Sequence, residues 1–141
     1  MDYIEPFQQE FPDIKPLSEM GDEQHHEKAD KLLYKGKLVE AEIEYKKLIL
    51  KIPYHYFGHE GIAYTYYFMG ERKKACWFMK KAIEIIDEIK RTGHKLTPSG
   101  PKSIEVCEEI ENGIKYNYQQ MLDNKELVKW WDGDVFPYEL E

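Results

Sequence analysis

The stretch HHEKADKLLYKGKLVEAEIEY, residues 25–45, decides the fold, because HEGIAYTYYFMGERKKACWFM, residues 59–79, repeats its punctuation 34 positions later. His25 falls on His59, Ala29 on Ala63, Leu32 on Tyr66, Gly36 on Gly70 and Ala41 on Ala75; further along, Leu48 falls on Ala82. Apolar residues recur at three- and four-residue steps on either side of each glycine, which is helical spacing. Each copy therefore reads as two helices joined by a short turn, a unit of that length being a helical hairpin. Small residues at 29/63 and 41/75 let the two antiparallel helices approach closely. Leu32/Tyr66 and Tyr45/Met79 fill the volume between one unit and the next. Gly36 and Gly70 supply the left-handed backbone that releases a helix into a turn.

Working outward, Pro53 stops the first unit, and further helical runs cover Tyr56–Met69 and Glu71–Arg91, the latter ending at Gly93. Residues 92–101 carry turn signals and read as a loop. After Pro101, a plausible first helical residue, Ile104, Cys107, Ile110, Ile114, Tyr118, Met121 and Leu122 form another stripe at helical spacing. No convincing period-two strand pattern is present, so the fold class is all-α. The expected organisation has an arm (1–21), a helical domain (22–125) and an acidic, aromatic tail (126–141). Within the domain the repeats run at about 22–55 and 56–89, followed by the loop and a capping helix over 102–125. Pro6, Pro12 and Pro16 argue for an extended arm, partly ordered by Tyr3, Phe7 and Phe11. Trp130, Trp131, Val135, Phe136 and Tyr138 make the tail a segment expected to dock, most readily on its own domain.

At 141 residues and 16.9 kDa the chain has room for one domain. No run approaches the ~20 apolar residues of a membrane span. The acidic first ten residues give no expectation of a secretory signal, and two cysteines are too few for a disulfide scaffold. A cytoplasmic setting with reduced thiols is expected. The net charge of −7 argues against nucleic-acid binding. That charge is uneven: residues 1–30 carry −7, residues 126–141 carry −4, and the segment between them carries +4. Solvated acidic ends explain this; the sharper reading has an arm folding back over the basic middle.

The paired punctuation resembles the tetratricopeptide repeat. The family's small first-helix residue matches Ala29 and Ala63, its following aromatic position Leu32 and Tyr66, its second-helix alanine Ala41 and Ala75, and its closing proline Pro53. Departures are His25 and His59 in place of the leading tryptophan, Lys28 in place of leucine, and Asp87 where the second proline would stand. The resemblance covers residues 22 to about 89. It implies a superhelical solenoid of helix pairs whose open end is closed by the capping helix, with Glu105, Glu108, Glu109 and Glu111 on its wet face. A second copy could close that end instead, making a homodimer.

The resemblance also implies a concave surface lined by the first helix of each unit. It would present Glu23, His26, Asp30, Leu33 and Tyr34 from one unit and Phe57, Glu60, Tyr64, Tyr67 and Phe68 from the next. The family's grip on a C-terminal carboxylate uses Lys and Asn where this chain has His26, Asp30, Glu60 and Tyr64. Acids there repel a carboxylate. Tyr64, Tyr67 and Phe68 suggest instead an aromatic trough for apolar or proline-containing segments, with Asp30 and Glu60 able to pair with Lys or Arg.

Catalytic and cofactor chemistry finds little support. His55 and His59 are four apart with Glu60 beside them, but no third convergent ligand completes a metal site. Cys76 and Cys107 lack a paired base and sit where small buried residues are expected. No glycine-rich phosphate loop is present. The expectation is a non-catalytic protein- or peptide-binding module, adaptor or chaperone-like, with no cofactor. Two alternatives are an acidic inhibitory protein that neutralises a basic partner and a self-assembling structural subunit.

Overall fold

The computed structural model describes residues 2–14, 19–53, 55–97, 100–103 and 105–125. Its elements are α1 (Glu5–Glu10), α2 (Glu19–Tyr34), α3 (Leu38–Lys51), α4 (Tyr56–Phe68), α5 (Arg72–Thr92), β1 (His94–Thr97), β2 (Gly100–Ser103) and α6 (Glu108–Leu122). From α2 onward each helix packs on the next, and α2 also reaches α4. Among the described residues no helix is long and apolar enough to cross a membrane.

The two turns that decide the sequence reading close in the same way. Gly36 and Gly70 take φ of 77° and 84°, the left-handed region where a side chain would cost ~1–2 kcal/mol. The Lys37 N–H then donates to the Leu32 carbonyl at 3.0 Å, and the Glu71 N–H donates to the Tyr66 carbonyl at 2.8 Å. Ala29, Ala63, Ala41 and Ala75 are all completely buried, so the small positions lie where helices touch.

Helix α4 is the centre of the molecule. Ten of its residues are buried, because α2, α3 and α5 all pack on it. Gly61 allows the closest of these approaches: a Cβ there would run into the ring of Tyr45, itself completely buried on α3. The core continues from Phe7 on α1 through Leu48, Ile62, Phe78 and Ile86 to Ile114 and Met121 on α6.

Five expectations need correction. The arm is not extended over residues 5–10; it forms α1. Pro6 lies in the first turn, where a helix needs no N–H, so it does not oppose the helix. Phe7 stacks on Phe78 at 5.6 Å, Tyr3 meets Trp77 edge-on at 5.5 Å, and Glu10 accepts from Lys46 at 3.1 Å. This part of the acidic arm does fold back on the basic middle.

The loop is a β-hairpin over part of its length. Gly93 (φ 75°) ends α5, and residues 94–97 pair antiparallel with 100–103, His94 opposite Ser103 and Leu96 opposite Pro101. Four-residue strands are too short to reveal a period of two, and in a two-stranded ribbon a proline can sit on an edge.

The last helix starts at Glu108 rather than at residue 102, with Cys107 as its extended cap residue. Glu108, Glu109 and Glu111 occupy its first turn, where acids complement the helix dipole. Glu111 is not on a wet face: it is buried and holds Lys90 at 2.9 Å and Lys115 at 3.0 Å. Cys107, expected inside, is exposed, and Cys76 is half-buried. The docking expected of the tail falls on residues 126–141, outside those described.

Candidate functional site

Positions 26, 30, 33 and 34 of α2 lie on one helical face, and positions 57, 60, 61 and 64 of α4 on another. The contact between α2 and α4 turns these faces toward each other around a cavity of about 210 Å³. Its lining is His26, Asp30, Leu33 and Tyr34 from α2, Tyr45 from α3, Tyr56, Phe57, Glu60, Gly61 and Tyr64 from α4, and Ile110 from α6. Tyr45 is completely buried and forms the floor, while Tyr34, 37% exposed, stands toward solvent.

Two carboxyl groups face this space. Asp30 is held on both oxygens: the Tyr45 hydroxyl donates to Oδ1, and His26 Nε2 lies 3.1 Å from Oδ2. The His26 ring in turn stacks flat on Phe57, with centroids 4.3 Å apart. Burial pushes the Asp30 carboxyl above its usual range, against the pull of His26 and Tyr45. Glu60 is buried to 6% exposure and accepts the Tyr64 hydroxyl at 2.9 Å. Burial raises its carboxyl to about 8, the Tyr64 bond pulling down and Asp30 pushing up. Burial, with Asp30 and Glu60 nearby, lifts the Tyr34 and Tyr45 hydroxyls above their ordinary value, and burial with Glu60 lifts Tyr56 to about 12. The rings therefore serve as protonated donors and apolar walls. Perturbed carboxyls in a cleft are a common mark of a functional site.

Of the ten residues expected on the concave surface, seven line this cavity: His26, Asp30, Leu33, Tyr34, Phe57, Glu60 and Tyr64. Tyr67 and Phe68 do not. They stand about a turn further along α4, where the end of α6 covers the helix. The Tyr67 hydroxyl donates to the Lys125 carbonyl, Arg72 donates to the Leu122 carbonyl at 2.7 Å, and Asn117 donates to the Tyr64 hydroxyl at 3.3 Å. Phe68 packs against the core and meets Tyr67 edge-on. The open trough is thus shortened to a pocket. Glu23 lies in α2, outside the residues whose side chains are described.

Tyr45, Tyr56, Gly61 and Ile110 complete the lining and were not expected there. Tyr45 was legible only as a bulky filler; its hydroxyl reaches Asp30 because Gly61 lets the ring lie against α4. Ile110 belongs to an element whose docking no local pattern encodes.

The remaining histidines have structural partners. His55 Nδ1 accepts from the Phe57 N–H at 3.2 Å, capping α4, and His59 Nδ1 lies 3.2 Å from the His55 carbonyl. Among the described residues no three His, Cys, Asp or Glu side chains converge as metal ligands would. Comparison of the chain with known proteins finds no family model, no protein of described function and no solved structure that matches it.

Proposed function

We propose that the chain is a non-catalytic module that binds a segment of a protein partner at the cavity between α2 and α4. In this reading the two helical hairpins form a tetratricopeptide-like superhelix and α6 is its cap. The repeated turn closure and the buried alanines 34 residues apart support that arrangement. The observation that supports binding is the convergence of residues from equivalent first helices on one solvent-reaching cavity walled by aromatic rings. Such rings provide large contact area at low entropic cost and are enriched in binding hot spots. A catalytic role has less support: the tyrosine hydroxyls are held protonated, and they donate to the carboxylates rather than acting as nucleophiles beside a base.

The test is affinity capture from a lysate of the source cells with wild type, Phe57→Ala, Tyr34→Ala and the surface control Lys73→Ala. A partner retained by wild type and by Lys73→Ala should fall at least tenfold with either cavity variant. Capture that is indifferent to both cavity variants sinks this site.

A further inference from the structure

We propose that the cavity accepts one lysine side chain of the partner, its ammonium at Glu60 and its methylene stem along Leu33, Phe57 and Ile110. This deepens the protein-binding reading and rests on it. Size comes first. At about 210 Å³ the cavity is smaller than the roughly 300–1,000 Å³ of ordinary small-molecule sites, so it suits one side chain rather than a length of chain.

Charge comes second. Glu60 lies more than nine-tenths buried on the lining, and Tyr64 is its one hydrogen-bond partner among the described residues. No cation among those residues lies within ion-pair range of it. Both oxygens of Asp30 are engaged by Tyr45 and His26, which leaves Oε1 of Glu60 as the main open acceptor. One acceptor in a ring-walled pocket fits a compact ammonium better than the five-donor fork of a guanidinium. Tyr34, Phe57 and Tyr64 present ring surface to such a cation, and Asp30 beside them disfavours an anionic occupant.

Occupancy is coupled to a proton. The empty site keeps Glu60 protonated at neutral pH, because burial raises its carboxyl to about 8. An ammonium favours the ionised form, so binding expels that proton and tightens as pH rises, up to about tenfold per pH unit below 8. The titratable groups facing Glu60 are His26, Asp30 and Tyr34 on α2, Tyr45 on α3, and Tyr56 and Tyr64 on α4; α6 contributes the uncharged Ile110.

The experiment is an NMR titration of the full chain with Nα-acetyl-lysine N-methylamide, with the norleucine and arginine analogues in parallel, at pH 6.5 and 8.5. The lysine probe should shift the amides of Tyr34, Phe57, Glu60 and Tyr64 in a saturable way. At pH 8.5 it should bind at least tenfold more tightly than norleucine and more tightly than arginine. Its affinity should rise at least fivefold between the two pH values. Glu60→Gln should abolish both the preference and the rise. The wild-type comparison of lysine with norleucine decides the matter even if that variant folds poorly. Equal binding of lysine and norleucine, arginine binding as tightly as lysine, or a preference that survives Glu60→Gln overturns the proposal. A silent lysine probe with partner capture still lost in Phe57→Ala overturns the lysine and leaves the protein-binding site standing. Lysine binding with capture indifferent to the cavity variants makes this a site for free alkylamines and overturns the partner's lysine.

Discussion

Glu60 and His59 are neighbours on α4, both buried, and burial drives their proton affinities in opposite directions. The Glu60 carboxyl rises from 4.5 to about 8, so the folded chain holds a proton that the unfolded chain releases. Stability from this source is fully present below 4.5, falls as pH rises toward 8, and then levels. His59 is pushed down from 6.5 to about 4 by burial, so the unfolded chain protonates first on acidification. Its contribution is lost as pH falls from 6.5 toward 4. The two slopes oppose one another between 4.5 and 6.5, which leaves 6.5 to 8 as the window where Glu60 acts alone of the pair. In that window urea titrations should show wild-type stability falling with pH, by at most about 1.4 kcal/mol per unit. Glu60→Gln should flatten the slope. At this scale the sequence was informative about which residues face the cavity, since helical spacing alone aligns 26, 30, 33 and 34 with 57, 60 and 64. It was silent on protonation, because burial is set by helices remote in sequence.

At the scale of elements, the turns and helix ends followed from local chemistry while α1, the hairpin and the start of α6 did not. Gly36, Gly70 and Gly93 each take a positive φ that few other residues tolerate, so their meaning was local. Helix α1 is six residues long and owes its place to Phe7, whose ring stacks on Phe78 and has the Lys46 ammonium 5.0 Å from its centroid. A helix so short has little stability of its own, so tertiary packing decides it. Phe7→Ala should therefore cost about 3 kcal/mol or more in chemical denaturation. Glu10→Gln, which breaks only the exposed pair with Lys46, should cost less than about 1 kcal/mol. Equal losses from the two substitutions would show that charge, not ring burial, seats the arm. For α6, the anchoring side chains Ile114, Met121 and Asn117 are completely buried, yet the helix packs on α5 and Asn117 bonds to Tyr64 on α4. The stripe announced a helix; it could not announce which surface the helix would cover.

Over the whole molecule, one apolar core joins α1 to α6 without a break. The chain should accordingly unfold in a single transition, with far-UV circular dichroism and aromatic fluorescence coincident in urea. Ile114→Ala should lower both midpoints together, by about 2–5 kcal/mol in stability. Separate transitions would mean that α6 is an independently melting cap. Because α6 also supplies Ile110 to the cavity, its seating and the shape of the site are tied together.

The exposed thiol of Cys107 gives that tie a practical use. It stands at the start of α6, three residues and about one helical turn from Ile110. With Cys76 replaced by serine, a single environment-sensitive dye could be attached there. Its emission would then report filling of the pocket in real time, without substitution of any side chain that lines it.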